Sequence, residues 1–509
     1  MSAQPHSEPM LAPSRRLLAG LVLALSNFMV VLDLTIANVS VPHIAGNLGI
    51  SPDQGTWVIT SYAVAEAICV PLTGWLAMRF GTVRVFTFSM FGFGLFSLLC
   101  GLSTTLGMIV ACRIGQGLCG GPLMPLSQTL MLRVFPPESR GKAMGLWAMT
   151  TLLGPALGPI LGGYISDNWS WHWIFFINIP FAIFCSVVAM ALLRPVETES
   201  AKRPIDLIGL SLLVFWIGCL QIMLDIGRDH DWFADPKIVA LTVCAAVGFL
   251  VFIVWELTEE HPIVDLRVFR HLGFTSGVIT LALCFGAYFA SIVVIPQWLQ
   301  MSMGYTAIWA GLTTAFTAMA ALTTSQIAAK LMTRIDPRIM VSGGVAWLGI
   351  MSLIRAQWTS GADFWALALP QLIQGFAMPF FIIPLTSVSL TYVRPSETAS
   401  AAGLQNFLRT MAIAVATSLV LTLWDNGQRA AQNDLASSIR PEDTQQQLAN
   451  AGFSFEQGRM VIANIANQEA TMLAVNHTFF ITACVLFFAA AFVWITPRAK
   501  GPVDMTASH

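Results

Sequence analysis

Five ionisable residues sit inside otherwise uncharged, apolar stretches: Asp33, Glu66, Arg113, Asp225 and Arg409. A charge held in lipid costs on the order of several kcal/mol unless it faces a cavity or a partner, so these residues are read first as functional. An apolar cavity favours the protonated carboxyl, and a nearby guanidinium favours the carboxylate. A group that alternates between those surroundings takes up and releases a proton. The expected chemistry is therefore proton coupling, or pairing with a charged solute. Asp33 lies about 16 residues into the first apolar run, about 24 Å along a helix axis at 1.5 Å per residue. That depth is in the outer half of a bilayer. Thr35 and Asn38 are its expected polar companions, on a helix expected to face a cavity. Glu66 and Arg409 fall mid-run, Arg113 falls early in the fourth run, and Asp225 closes the seventh near the outer face. The same residues also fit a buried structural ion pair, and an aspartate at the level of Asp225 can simply meet water.

The elements that must position these groups follow from composition. Of 509 residues, 56% are apolar and 10% charged, against about 25% charged in a soluble domain. Runs of about 20 apolar residues recur, the signature of membrane-spanning helices. They are too long for barrel strands, and only a helix satisfies its own backbone in lipid without closing a barrel. The sequence predicts an all-α membrane protein with fourteen spans, near 17–39, 55–78, 84–103, 107–131, 142–165, 173–193, 206–226, 237–257, 273–299, 306–330, 338–355, 363–390, 399–424 and 475–496. With both ends in the cytoplasm, eighteen Lys and Arg fall in inside segments and six in outside ones, Arg355 among the six. That bias is the positive-inside pattern. The N-terminal run is longer than a signal peptide's apolar region and is read as an uncleaved first span. One long polar loop, 425–474, is then external, with partly helical periodicity near 458–472.

Sliding the chain on itself by 258 residues places Gln116 on Gln374, Gly117 on Gly375, Pro137 on Pro395, Gly145 on Gly403 and Leu146 on Leu404. Spans 4–5 are thus expected to repeat as spans 12–13. The implied organisation is a tail (1–16), a six-helix bundle (17–195), an extra helix pair (206–257), a second six-helix bundle (273–496) and a tail (497–509). Parallel repeats of this kind hold a substrate site between the halves near the membrane midplane. Gln116, Trp147, Gln297, Trp298, Gln374, Asn406 and Phe407 are the expected cavity faces there, since aromatic and amide groups suit promiscuous apolar sites. In span 5, Gly145, Gly154, Gly158, Gly162 and Gly163 accompany Pro155 and Pro159. Three of these glycines, spaced by four, share a face that admits a close helix, and the prolines bend the span. Between spans 2 and 3, Gly74, Arg79, Gly81 and Arg84 form a tight basic turn.

Other chemistries lack their residues. The eight histidines are scattered, and no metal-ligand or Walker pattern emerges, so no metal, cofactor or ATP is expected. The near-zero net charge leaves no basic block for nucleic acid. The nine cysteines fall in apolar runs and read as small packing residues. A membrane-embedded lipid-modifying enzyme remains only as a remote alternative.

Together these residues resemble the major facilitator superfamily, and within it the fourteen-span drug:proton antiporters of EmrB type. "LDLTIANVSVP" from Leu32, "GWLAMRFGTVRVF" from Gly74, "RIGQG" from Arg113, the glycine pattern of Gly145–Gly163, "WHWIFFINIP" from Trp171 and "LQIMLDIGRDHDWF" from Leu220 carry the likeness. The chain departs from it at Met78, where the superfamily usually has an acid, so a charge relay through that acid is not expected; Glu66 and His477 match no family motif. The resemblance implies the major facilitator fold and proton-driven efflux of hydrophobic compounds through the bacterial inner membrane. It implies no cofactor beyond the proton gradient, and as partners membrane lipid, an EmrA-like periplasmic adaptor and a TolC-like outer-membrane channel. Loop 425–474 is the expected adaptor contact. Export of one endogenous solute, such as a fatty acid, siderophore or lipid, is the alternative.

Overall fold

The computed structural model describes residues 12–198, 200, 204–228, 230–332, 334–394, 397–438 and 454–497. Both tails, apart from a few residues, and the tip of the long loop lie outside the described residues. The helices that matter are α1 (Pro13–Leu48), α2 (Trp57–Phe80), α3 (Thr82–Gly101), α4 (Leu106–Val134), α5 (Pro137–Asn168), α6 (Trp173–Leu192), α7 (Leu207–Ile226), α8 (Pro236–Thr258), α9 (Leu272–Ser302), α10 (Ala307–Leu331), α11 (Pro337–Arg355), α12 (Phe364–Thr391), α13 (Thr398–Ser438) and α14 (Phe455–Phe492). Among the described residues twelve of these are long and apolar enough to cross a membrane, and α5 makes a thirteenth. The other is α10, whose 25 residues are rich in Ala and Thr; it measures about 37 Å at 1.5 Å per residue. Fourteen spans are compatible with this set.

Helix α5 bends by 42° between Pro155 and Leu157, where Pro155 and Pro159 cannot donate their backbone bonds to the preceding turn. Two spans are broken rather than continuous: α4 at Gly121–Pro122 and α12 at Phe376–Ala377. At the spacing of 258 the two breaks fall within one helical turn of each other. Local packing repeats with them. A methyl on Gly117 would meet the Tyr62 carbonyl at 2.5 Å, and one on Gly375 would strike the Thr317 carbonyl. Where the halves meet, Gln128 of α4 donates to the carbonyl of Thr386 of α12 at 3.1 Å, and these residues are 258 apart. Equivalent positions touch each other, as expected for two copies facing across an axis.

The extra pair lies outside this arrangement. Helix α7 packs over the seam between α2 and α13: Trp216 meets Phe407 edge-on at 6.0 Å, and Gln221 donates to Met411 Sδ at 3.5 Å. Helix α8 rests on α7, and most of its side chains are exposed; that face is left for lipid.

The long loop is corrected by the structure. Helix α13 continues to Ser438 and α14 starts at Phe455, so most of 425–474 is a helical hairpin. Asn467 Oδ1 accepts from Gln428 and Gln432 at 3.0 and 2.7 Å. A capping box at Ser454 and Gln457 starts α14, which is why a polar sequence still forms a helix there. All nine cysteines are free, but Cys244 and Cys484 are exposed and do not pack inside.

Candidate functional site

The polar residues of the first half converge on Asp33. Arg113 and Gln116 lie three apart on α4 and so project from one face. Arg113 Nη1 donates to Asp33 Oδ2 at 2.5 Å and to Gln116 Oε1 at 2.8 Å. Gln116 Nε2 and Asn178 Nδ2 donate to Asp33 Oδ1 at 3.0 and 2.9 Å. Arg113 Nε donates to the Val58 carbonyl at 3.0 Å, and its guanidinium lies 4.2 Å from the centre of the Tyr62 ring. Ser97 Oγ, itself bonded to the Phe175 carbonyl, accepts from Asn178 at 3.1 Å. Both charged side chains are 0% exposed. A buried pair of this kind persists only when further hydrogen bonds satisfy it, and five of the first six spans contribute. Asp33 therefore points into the first bundle, against the expectation that its helix turns it toward a cavity between the halves.

A second cluster lies between the halves. Arg409 of α13 sits 5.3 Å from the Phe285 ring of α9 and 5.9 Å from the Trp147 ring of α5, and donates toward Met124 Sδ of α4. Its opposite charge is Glu66 of α2, which also feels Asp33 and Arg113. Trp147 is fully buried, and its indole donates to Ser127 Oγ at 2.9 Å. Just beside it, Asn406 donates to Gln128 Oε1 at 3.0 Å. Glu66, Trp147, Asn406 and Arg409 are thus gathered at the interface, and Asp33, Arg113 and Gln116 are gathered behind it.

Other expected residues go elsewhere. Thr35 donates to the Gly154 carbonyl at 3.1 Å and is a packing contact of α1 on α5; Asn38 is exposed and Gln297 half-buried. Trp298 stacks on Trp358 at 5.7 Å within the second half, and Phe407 turns to α7. Neither is a face of the central interface. Gln374 is buried in the second half beside Tyr288. Asp225 is exposed at the end of α7 and accepts from Thr60 of α2. The span 5 glycines cradle α1: side chains on Gly154 and Gly162 would meet Val31 Cγ1 at 2.5 Å and the Ile36 carbonyl at 2.9 Å, and one on Gly158 would strike Thr35. Gly145 faces α10 and α12 more loosely, with Ile383 at 3.6 Å. Gly163 is buried. Pro155 and Pro159 are only half-buried.

Residues 23–417 match the Major Facilitator Superfamily. The chain is 43% identical over 488 residues to the "Multidrug export protein EmrB" of Escherichia coli K12, covering 95% of both chains. It is 41% identical to the protein of that name from Haemophilus influenzae, over 96% of each. It is 40% identical to the "Fatty acid resistance protein FarB" of Neisseria gonorrhoeae, over 95% of this chain and 96% of that one. The chain belongs to the major facilitator superfamily, in its EmrB-type branch. A proton:xylose symporter, XylE, has the same fold, with a TM-score of 0.58 and 16% identity over 96% of this chain. The protein is a multi-pass membrane transporter, related to exporters of drugs and toxic compounds.

In this superfamily member the turn between α2 and α3 is tied down by an acid from another place. Glu197 accepts from the backbone N–H of Val83 and Arg84 at 2.9 and 3.0 Å. The carboxylate thus occupies the positive end of α3. Gly81 stands at φ 93°, and a side chain there would collide with Glu197. Arg79 stacks 5.3 Å from the Trp75 ring, and Gly74 lets α2 approach Ser400 Cα of α13. Sequence reasoning missed Tyr62, Ser97, Gln128, Asn178, Phe285 and Arg355. Asn178 lay within a quoted motif, and Gln128 was detectable through the repeat. Arg355 ends a span, where a cation ordinarily reads as an outer anchor.

Proposed function

We propose that this transporter is a proton-coupled antiporter that exports hydrophobic drugs and toxic amphipaths across the bacterial inner membrane. The observation that carries the reading is the pair of linked charge clusters. Asp33–Arg113 is confined to the first half, whereas Glu66 on α2 and Arg409 on α13 feel each other's charge from the two halves. Movement of the halves separates Glu66 from Arg409 and changes the charge that favours its ionised form, while Asp33 stays with Arg113. Binding of a proton at Glu66 is then tied to which side the interface opens. Trp147, Phe285 and Met124 supply the apolar wall on which a substrate rests while Arg409 is exposed. No cofactor takes part; the proton gradient drives the cycle.

The test is uptake and resistance in cells lacking other pumps. Asp33→Asn and Glu66→Gln each abolish resistance while expression holds. Undiminished resistance in either variant removes that residue from the coupling site.

Both termini are cytoplasmic in this reading, which places the α13–α14 hairpin on the periplasmic side. Met460 and Ile465 expose apolar side chains along it, which suits docking of a periplasmic adaptor that leads to an outer-membrane channel. Export of a single endogenous solute is the second reading, favoured by the name of the fatty acid resistance relative.

A further inference from the structure

The two halves repeat one local design with a single part missing. In the first half, Ser97 Oγ donates to the Phe175 carbonyl at 2.9 Å; in the second, Ser352 Oγ donates to the Phe479 carbonyl at 2.9 Å. A guanidinium lies by the same ring in each: Arg113 is 5.6 Å from the Phe175 centroid and Arg355 is 5.5 Å from that of Phe479. Gln116 corresponds to Gln374, and both are buried. By the same spacing of 258 residues Asp33 falls on Ser291, Arg113 on Gln371 and Ser97 on Arg355, so the second half carries its guanidinium on α11 rather than on α12. The first half brings its own carboxylate to its arginine. The second half brings none.

Arg355 is 2% exposed, and its Nε and Nη1 have no hydrogen-bond partner. It is in no ion pair among the described residues. Tyr288 faces both Arg355 and the Gln374 amide, and one helical turn before Gln374 the Nε2 of Gln371 is likewise unpartnered. Burying one such atom is costly, and a lone guanidinium more so. Three buried unpartnered donors, two of them on one guanidinium, are therefore the mark of a ligand. The first half shows which chemistry fits, because there a carboxylate receives the guanidinium and the glutamine amide together. Guanidinium donors hold a planar carboxylate well. Beside Arg355, the stacked Trp298 and Trp358 and the edge-on Phe479 form an aromatic wall.

We propose that Arg355, Gln371, Gln374 and Tyr288 form a substrate subsite in the second half that takes the carboxylate of a hydrophobic monoanion in the role Asp33 plays in the first, with the apolar body against Trp298, Trp358 and Phe479. This deepens the export reading by naming a substrate class, and rests on it for the ligand's passage. Equilibrium binding needs no gradient, so failure of the subsite and failure of proton coupling are read separately.

The experiment is binding of labelled decanoate to the full-length protein in lipid nanodiscs, displaced by unlabelled decanoate, with decyltrimethylammonium as a control of equal chain length. Arg355→Gln weakens decanoate at least tenfold and leaves the cation within twofold, and Arg355→Lys restores most of the loss. Ser291→Asp supplies the missing internal carboxylate, so it abolishes decanoate binding and raises the unfolding temperature. Unchanged decanoate affinity in folded Arg355→Gln overturns the proposal. So does an equal loss for both probes, which marks Arg355 as a packing residue, or stabilisation through Arg355 by chloride but not by decanoate. If Arg355→Gln does not fold, retained decanoate binding in Ser291→Asp overturns it alone.

Discussion

Asp33 spends both carboxylate oxygens on buried donors, so neutralising it does more than remove a titrating group. In Asp33→Asn, one neutral amide oxygen replaces the two carboxylate oxygens that now serve Arg113, Gln116 and Asn178, so the buried guanidinium loses its counter-charge. Losing one member of a buried pair costs about 3 kcal/mol. The variant is expected to unfold at a lower temperature than wild type, and Asp33→Asn combined with Arg113→Gln to recover part of the loss. Thermal unfolding of the purified proteins checks this; additive losses would show that the two residues do not act as a pair. Glu66 differs. Among the described residues it has no such ring of donors, so Glu66→Gln is expected to leave the unfolding temperature nearly unchanged and to stop transport. Measuring stability and uptake on the same preparation separates the two roles. The residue scale was also the most legible in the sequence. A charge in an apolar run stands out by type alone, and Asp33, Glu66, Arg113 and Arg409 do converge. Arg355 did not stand out, because a cation at the end of a span is ordinarily an interface anchor.

At the scale of elements, α5 acts through what it lacks. Its glycines let α1 lie close enough for Thr35 to reach the Gly154 carbonyl. Gly158→Val forces α1 away, at a cost of about 1–3 kcal/mol for overpacking, and moves Asp33 relative to Arg113. Reduced transport with retained but less stable protein is the expected outcome, checked by uptake and thermal unfolding; full activity would show that the α1–α5 contact is not needed. This motif was legible because small residues at a spacing of four have one structural use in lipid. The faces of other helices were not. A span apolar all round carries no pattern that says which side meets a neighbour, so Trp298 and Phe407 were assigned to an interface they do not line. The breaks in α4 and α12 were hidden for the same reason, and the α13–α14 extension because its polar residues read as a loop.

At the scale of the whole molecule, the repeat was visible as a few identities and reappears in the contact of Gln128 with Thr386. The extra pair closes one seam from outside, over α2 and α13. On this account the halves move as bodies, and that seam must open. Cysteines placed at Thr73 of α2 and Gly403 of α13, where a side-chain carbon on Gly403 would stand 3.7 Å from Thr73 Cβ, within disulfide reach, in a background without the native cysteines, are expected to block transport on oxidation and to release it on reduction. Transport that continues with the cross-link formed would rule out movement at that seam. Everything proposed for this chain turns on whether a proton gradient drives its export. Its most direct test is uptake of hydrophobic anions and cations into inside-out vesicles carrying the protein, energised by a pH gradient alone. Uptake is expected to collapse with an uncoupler and to be absent in Glu66→Gln; uptake that persists with the gradient dissipated would overturn proton coupling.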